Sequence, residues 1–202
     1  MTADYNVGLA PPSLTLDRPQ PALSWSAIWA GAFVAVSASV LLGLAAAGIG
    51  YDTGLTGLAT RSSLKAFTPE VGAGGILIQV LASALGGYVA GRTRTVWTTL
   101  HDDESHFRDT AHGLIVWAVA TVAMVLLAAL VLAPYAEALT ATASAAGAAP
   151  PPTPAELDRA AHIAAQASLF TAVGMLLSAF VAAVAARIGG LRHEEMHLKR
   201  RA

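Results

Sequence analysis

Four stretches of this chain, residues 28–49, 71–90, 113–133 and 164–186, contain no Asp, Glu, Lys, Arg or His. At about 1.5 Å rise per residue, each is long enough as a helix to cross a hydrocarbon layer of roughly 30 Å. Inside lipid every backbone polar group must find its partner within the protein, so only helices and closed barrels span it. Continuous apolar runs without alternation select the helix. Composition agrees, with 55% hydrophobic and 12% charged residues in a chain of 202, about half the charged share of a soluble domain. The expected fold is all-α, an integral membrane four-helix bundle.

The segments between the spans set the boundaries. Residues 1–24 carry Pro11, Pro12, Pro19 and Pro21 and read as an extended tail without the features of a cleaved leader, so the tail is expected to stay attached. The membrane domain is expected over 25–190, followed by a basic tail, 191–202. Residues 51–70 place Leu55, Leu58, Ser62 and Lys65 at helical spacing, so this stretch is either a short interfacial helix or a solvated loop. Thr68, Pro69 and Glu70 start the second helix, and Pro134 is expected to stop the third. Apart from Glu137 and Leu139, residues 136–153 are Ala, Thr, Ser, Gly and Pro, a low-complexity external linker. Thr153 and Glu156 have capping-box spacing with Pro154 at the first helical position, and Gly189 and Gly190 are expected to end the last helix.

Four spans put both tails and the 92–112 loop on one side. That side carries Arg18, Arg92, Arg94, Arg108, Arg187, Arg192, Lys199, Arg200 and Arg201, against Arg61, Lys65 and Arg159 opposite. The positive-inside rule makes the richer side cytoplasmic, and all four tryptophans fall at or near that interface. Arginine in excess over lysine, with heavy alanine use, points to a GC-rich bacterial genome. The inner membrane is then the expected location. A net charge of −1 offers no basic field to nucleic acid. The absence of cysteine removes disulfides and thiolate chemistry.

Within the second span Gly75, Gln79, Ser83, Gly87 and Gly91 recur every four residues. Small residues at that spacing let helix backbones approach, which is how helices associate where lipid supplies no hydrophobic drive. The second helix is therefore expected at the bundle centre. Gln79 is the one amide near a span centre, suited to an interhelical hydrogen bond or, alternatively, to a pore. An internal likeness is also visible. Residues 29–35 and 117–123 share Trp, Ala, Ala, Val and Ala in register, and Ser83, Val89, Ala90 and Arg92 match Ser178, Val184, Ala185 and Arg187. Two tandem helical hairpins inserted the same way would produce this pattern.

The polar island at 91–113 concentrates the chemistry. Thr99 is a cap for a helix opening on Asp102, Asp103 and Glu104, carboxylates favoured at the positive end of the helix dipole. Continuing that helix stacks Glu104, Arg108 and His112 on one face. One reading is a salt-bridged helix start, with Arg92 and Arg94 pairing these carboxylates or anchoring phosphates. The other is a cytoplasmic docking surface made of Arg92, Arg94, His101, Glu104, Arg108, Asp109 and His112. Near the end, His193, Glu194 and His197 match the H-E-x-x-H zinc-protease pattern, with no following domain to enclose a metal. The expected reading there is an amphipathic, lipid-facing basic tail with no metal and no cofactor. His162, four residues after Asp158, reads as a solvated pair. No Asp, Glu or His lies within a span, which disfavours a proton-coupled carrier.

The run Leu81-Ala82-Ser83-Ala84-Leu85-Gly86-Gly87-Tyr88-Val89-Ala90-Gly91-Arg92, followed by Arg94, Trp97, His101 and Phe107-Arg108-Asp109-Thr110-Ala111-His112-Gly113, resembles a proteobacterial family of uncharacterised four-span inner-membrane proteins. The likeness covers roughly 75–125 and, more weakly, 24–35. His106 before Phe107 departs from the family pattern. The resemblance implies an architecture and a membrane, and no chemistry. The expected function is non-enzymatic, a structural or accessory subunit packing in the bilayer with itself or with a larger membrane complex. A small channel or carrier for an uncharged solute is the alternative, and a zinc-dependent membrane enzyme a third.

Overall fold

The computed structural model describes residues 23–52, 69–94, 102–145 and 153–201. Among them are four helices and no strand: α1 (Trp25–Asp52), α2 (Pro69–Thr93), α3 (Asp102–Ala145) and α4 (Pro154–Arg201). All four are long and apolar enough to cross a membrane, over Trp25–Ile49, Pro69–Thr93, His106–Pro134 and Pro154–Met196, and each contains one of the charge-free runs. The chain is an integral membrane four-helix bundle. Residues 1–22 of the Pro-rich tail, most of 51–70, Thr99 and His101 lie outside the described residues.

Local chemistry explains the helix starts. Thr153 N–H donates to Glu156 Oε2 at 2.7 Å, and Glu156 N–H donates back to Thr153 Oγ1 at 3.3 Å, a complete capping box ahead of Pro154. At α1, the Ser24 carbonyl accepts from Ile28 N–H at 3.0 Å. The His162–Asp158 pair, 3.8 Å apart, is exposed as expected.

The helices alternate in direction. The start of α1, the end of α2, the start of α3 and the last turns of α4 therefore meet at one end, here called the basic end. α2 and α3 each pack on all three other helices, α2 most heavily on α4 and then α1, while among the described residues α1 and α4 do not pack on each other. The core near the basic end is small-residue and aliphatic: Ile28, Ala90 and Val116 in one cluster, Ala32, Ala35 and Ala120 in the next. Large side chains such as Leu77, Leu81, Leu85, Phe33 and Phe180 face outward, which costs little when the surroundings are acyl chains.

Glycine and alanine bring the backbones together. A Cβ on Gly87 would overlap the carbonyl of Ala182, and one on Gly91 would overlap that of Ala186. Gly31 lies against Gly86, and Gly113 against Ala182. The four-residue stripe thus forms a seam with α4 at Gly87 and Gly91. It does not hold at Gly75, where a Cβ would meet nothing within 4 Å. α2 and α4 run parallel, and the positions that face each other, 87 with 182 and 91 with 186, are the ones the internal likeness equates. A two-fold along the membrane normal would also pack α1 on α4 as α2 packs on α3, which does not occur. The equivalence is expressed at the seam.

Two expected helix stops are overturned. Pro134 lies inside α3, which continues to Ala145 and takes in the first ten residues of the supposed linker. A proline removes one hydrogen bond and crowds the carbonyl four residues back. Here that carbonyl belongs to Leu130 on an exposed turn, and the alanine-rich sequence that follows favours helix strongly. Gly189 and Gly190 do not end α4 either, because their missing side chains serve packing. A Cβ on Gly189 would overlap the Tyr88 carbonyl, and one on Gly190 the Asp109 carboxylate.

Candidate functional site

Two places in the bundle hold polar groups away from bulk solvent. The first is at the basic end. Arg94 follows α2 directly and is turned inward, 2% exposed, against Asp109 of α3, 1% exposed. Its Nη2 donates to Asp109 Oδ2 at 2.9 Å and to Glu194 Oε1 of α4 at 2.8 Å, and its Nε lies in direct ion-pair contact with Asp109 Oδ1. Glu194 is one-third exposed. A single guanidinium thus ties three helices, and the close approach of Asp109 requires glycine at 190.

His112, fully buried, completes this end. Its Nε2 accepts from Ser24 N–H at 2.9 Å, and its Nδ1 lies 2.7 Å from the Arg108 carbonyl. Because Nε2 accepts, the proton sits on Nδ1 and the ring is neutral. His112 pins the chain leading into α1 onto α3. Arg108 Nε donates to Glu104 Oε1 at 2.8 Å, the expected pair one turn apart.

Arg94, Asp109 and His112 therefore form no docking surface. They are internal fasteners, because desolvated charges and imidazoles are tolerated where each polar atom has a partner. Arg92, Glu104 and Arg108 do reach the surface. Arg94 bonds Asp109 and Glu194, the latter from α4, and the side chains of Asp102 and Asp103 lie outside the described residues. The basic tail is not separate from the last helix: α4 continues through it to Arg201, with Glu194 turned toward the bundle while Arg192 and Lys199 are exposed. That carboxylate, placed by the sequence as a metalloprotease base, is held by Arg94, while the His197 side chain lies outside the described residues. Among the described residues no three His, Asp or Glu side chains converge to hold a metal ion.

The second place is a cavity of about 480 Å³ toward the opposite end, bordered by all four helices. Gly75, Gln79 and Ser83 line it from α2, Trp117 and Thr121 from α3, Ser39 from α1 and Thr171 from α4. The hydroxyls of Ser39, Thr121 and Thr171 donate to carbonyls of their own helices at 2.9, 2.8 and 2.8 Å. Below the cavity Trp117 Nε1 donates to Ser178 Oγ at 3.0 Å. That tryptophan is drawn inward, unlike Trp29, which faces out. Gln79 reaches across to the backbone of Gly174, and among the described residues its amide has no hydrogen-bond partner. The volume falls in the range of small-molecule pockets. Compared with protein-family models, with curated proteins and with solved structures, the chain matches none.

Proposed function

We propose that this chain is a non-enzymatic accessory subunit of a bacterial inner membrane, with both termini cytoplasmic, whose open half seats one more transmembrane helix from a larger membrane complex or a second copy. The supporting observation is the contrast between the two halves. Near the basic end the helix backbones are in contact. In the other half Gly43, Gly48, Gly74 and Gly75 have open space where a side chain would stand. A glycine turned toward lipid gains nothing and costs about 1 kcal/mol of helix propensity relative to alanine, whereas against another helix it permits close packing. A photo-crosslinking residue in place of Gly75, irradiated in native membranes, is expected to give one discrete protein adduct, while the same residue at exposed Leu77 gives lipid adducts. Equal protein yields at the two positions, or none at Gly75, would sink this reading.

The cavity reaching Gln79 favours a second reading, a carrier for a small uncharged solute. It places an unpartnered amide in a space closed toward the basic end by the α2–α4 seam. Purified protein in vesicles would then pass glycerol, and Gln79→Leu would abolish the flux; an accessory subunit leaves vesicles tight.

The orientation has its own test. With no native cysteine, single cysteines at Ser105, Ser62 and Ser144 can be labelled with an impermeant thiol reagent in intact cells. Ser62 and Ser144 variants are expected to label and the Ser105 variant to be protected. The reverse pattern overturns the assignment.

A further inference from the structure

Because α4 continues past Gly190, it carries a second polar face that the sequence left in a tail. Tyr88 and Arg92 of α2, with Ile188, Arg192, Glu195, Met196 and Lys199 of α4, border a groove of about 440 Å³ on the outside of the α2–α4 seam. On α4 these residues fall at spacings of three and four, on one helix face, and on α2 they are one turn apart.

We propose that this groove binds the headgroup and upper acyl chain of an anionic glycerophospholipid. Three observations carry the inference. First, the groove holds three cations and one carboxylate, and among the described residues Arg92, Arg192 and Lys199 form no ion pair. Arg94 and Arg108, by contrast, are both spent on carboxylates. Arg92 touches only the weak acceptor Sδ of Met196, at 3.5 Å. Secondly, the net charge of the lining is positive, complementary to a phosphodiester. Thirdly, the groove crosses the polar boundary. Tyr88 lies within the charge-free run of α2 and Ile188 just beyond that of α4, while Arg192 and Lys199 stand one and three turns further out. A soluble phosphate has no use for the apolar end; a phospholipid matches both. Basic clefts between transmembrane helices at the interface recognise anionic headgroups in this way.

The test uses the full chain in phosphatidylcholine vesicles containing spin-labelled phosphatidylglycerol or spin-labelled phosphatidylcholine, reading the motionally restricted fraction of each probe. Phosphatidylglycerol is expected to be selected, and the selectivity to fall as NaCl is raised, because the contact is ionic and partly solvated. Changing Arg92, Arg192 and Lys199 together to glutamine should abolish the selectivity, since each cation near the surface adds to the attraction for an anionic lipid, while Arg187→Gln, an exposed cation outside the groove, should leave it intact. If the triple variant does not fold, Arg192→Gln alone must reduce selectivity several-fold. Equal restriction of the two lipids, unchanged selectivity in the triple or single variant, or displacement of the labelled lipid by millimolar inorganic phosphate would each overturn the proposal, the last by making the ligand a soluble anion.

Discussion

Gly87→Leu is expected to be among the most damaging single changes in this chain. The residue sits where α2 and α4 touch backbone to backbone, and a Cβ there would lie 3.0 Å from Ala182 Cα while overlapping the adjoining carbonyl. Neither atom belongs to a flexible side chain, so the helices themselves must separate. Overpacking a core costs about 1–3 kcal/mol when side chains can shift, and a backbone contact places this variant at or above the upper end. The measurement is the unfolding midpoint in detergent, compared with Leu81→Ala. Leu81 is 43% exposed on the outer face of the same helix, where truncation exchanges one apolar neighbour for another. Similar midpoints for the two variants would mean that the seam is not a packed interface.

That seam shows how far the sequence can be read. The small-residue spacing on α2 pointed to a close helix contact, and the contact exists at Gly87 and Gly91. The partner was legible by the same logic. Ser178, Ala182, Ala186, Gly190 and Glu194 also recur every four residues on α4, and the repeat runs directly into the carboxylate that Arg94 binds. Treating Gly189 and Gly190 as a terminator hid this, because glycine's low helix propensity and its suitability for close packing predict opposite outcomes. In lipid, packing decides. The loss at Gly75 has the converse cause: spacing defines a helix face but not how far along it a neighbour extends, and here the four helices cease to cover one another toward the far end.

The polar island divides between its two readings for a related reason. Seven charged residues within 91–113 are compatible with a salt-bridged helix start or with an exposed docking surface, since charge clusters are usually solvated. What turns Arg94, Asp109 and His112 inward is the tail of α4, almost a hundred residues later in the chain, together with the backbone N–H of Ser24. Local sequence identified the i,i+4 pair of Glu104 and Arg108. It carried no signal for the bond between Ser24 and His112 or that between Trp117 and Ser178, because both depend on the lateral order of helices.

The second large effect is expected from Arg94→Met. The substitution keeps most of the side-chain volume but removes the cation that bonds both Asp109 and Glu194. Asp109 is then left buried without a counter-charge, and breaking a buried ion pair from one side typically costs about 3–5 kcal/mol. Glu194 contributes less, since it is one-third exposed and can turn to water. The asymmetry yields a double-variant test. If the loss arises from the stranded carboxylate, Arg94→Met combined with Asp109→Leu should be more stable than Arg94→Met alone, because an apolar pair of similar size removes the charge that needed a partner. If Arg94 matters only as a spacer, the double variant should be worse than either single change. A third variant, Glu194→Gln, separates the roles further. It keeps the buried Arg94–Asp109 pair, so the bundle should melt nearly as the parent does, while the turns of α4 beyond Gly190 lose their tether and become more open to limited proteolysis. An Arg94→Met protein that melts with the parent would show that the basic end is held by the glycine seam alone.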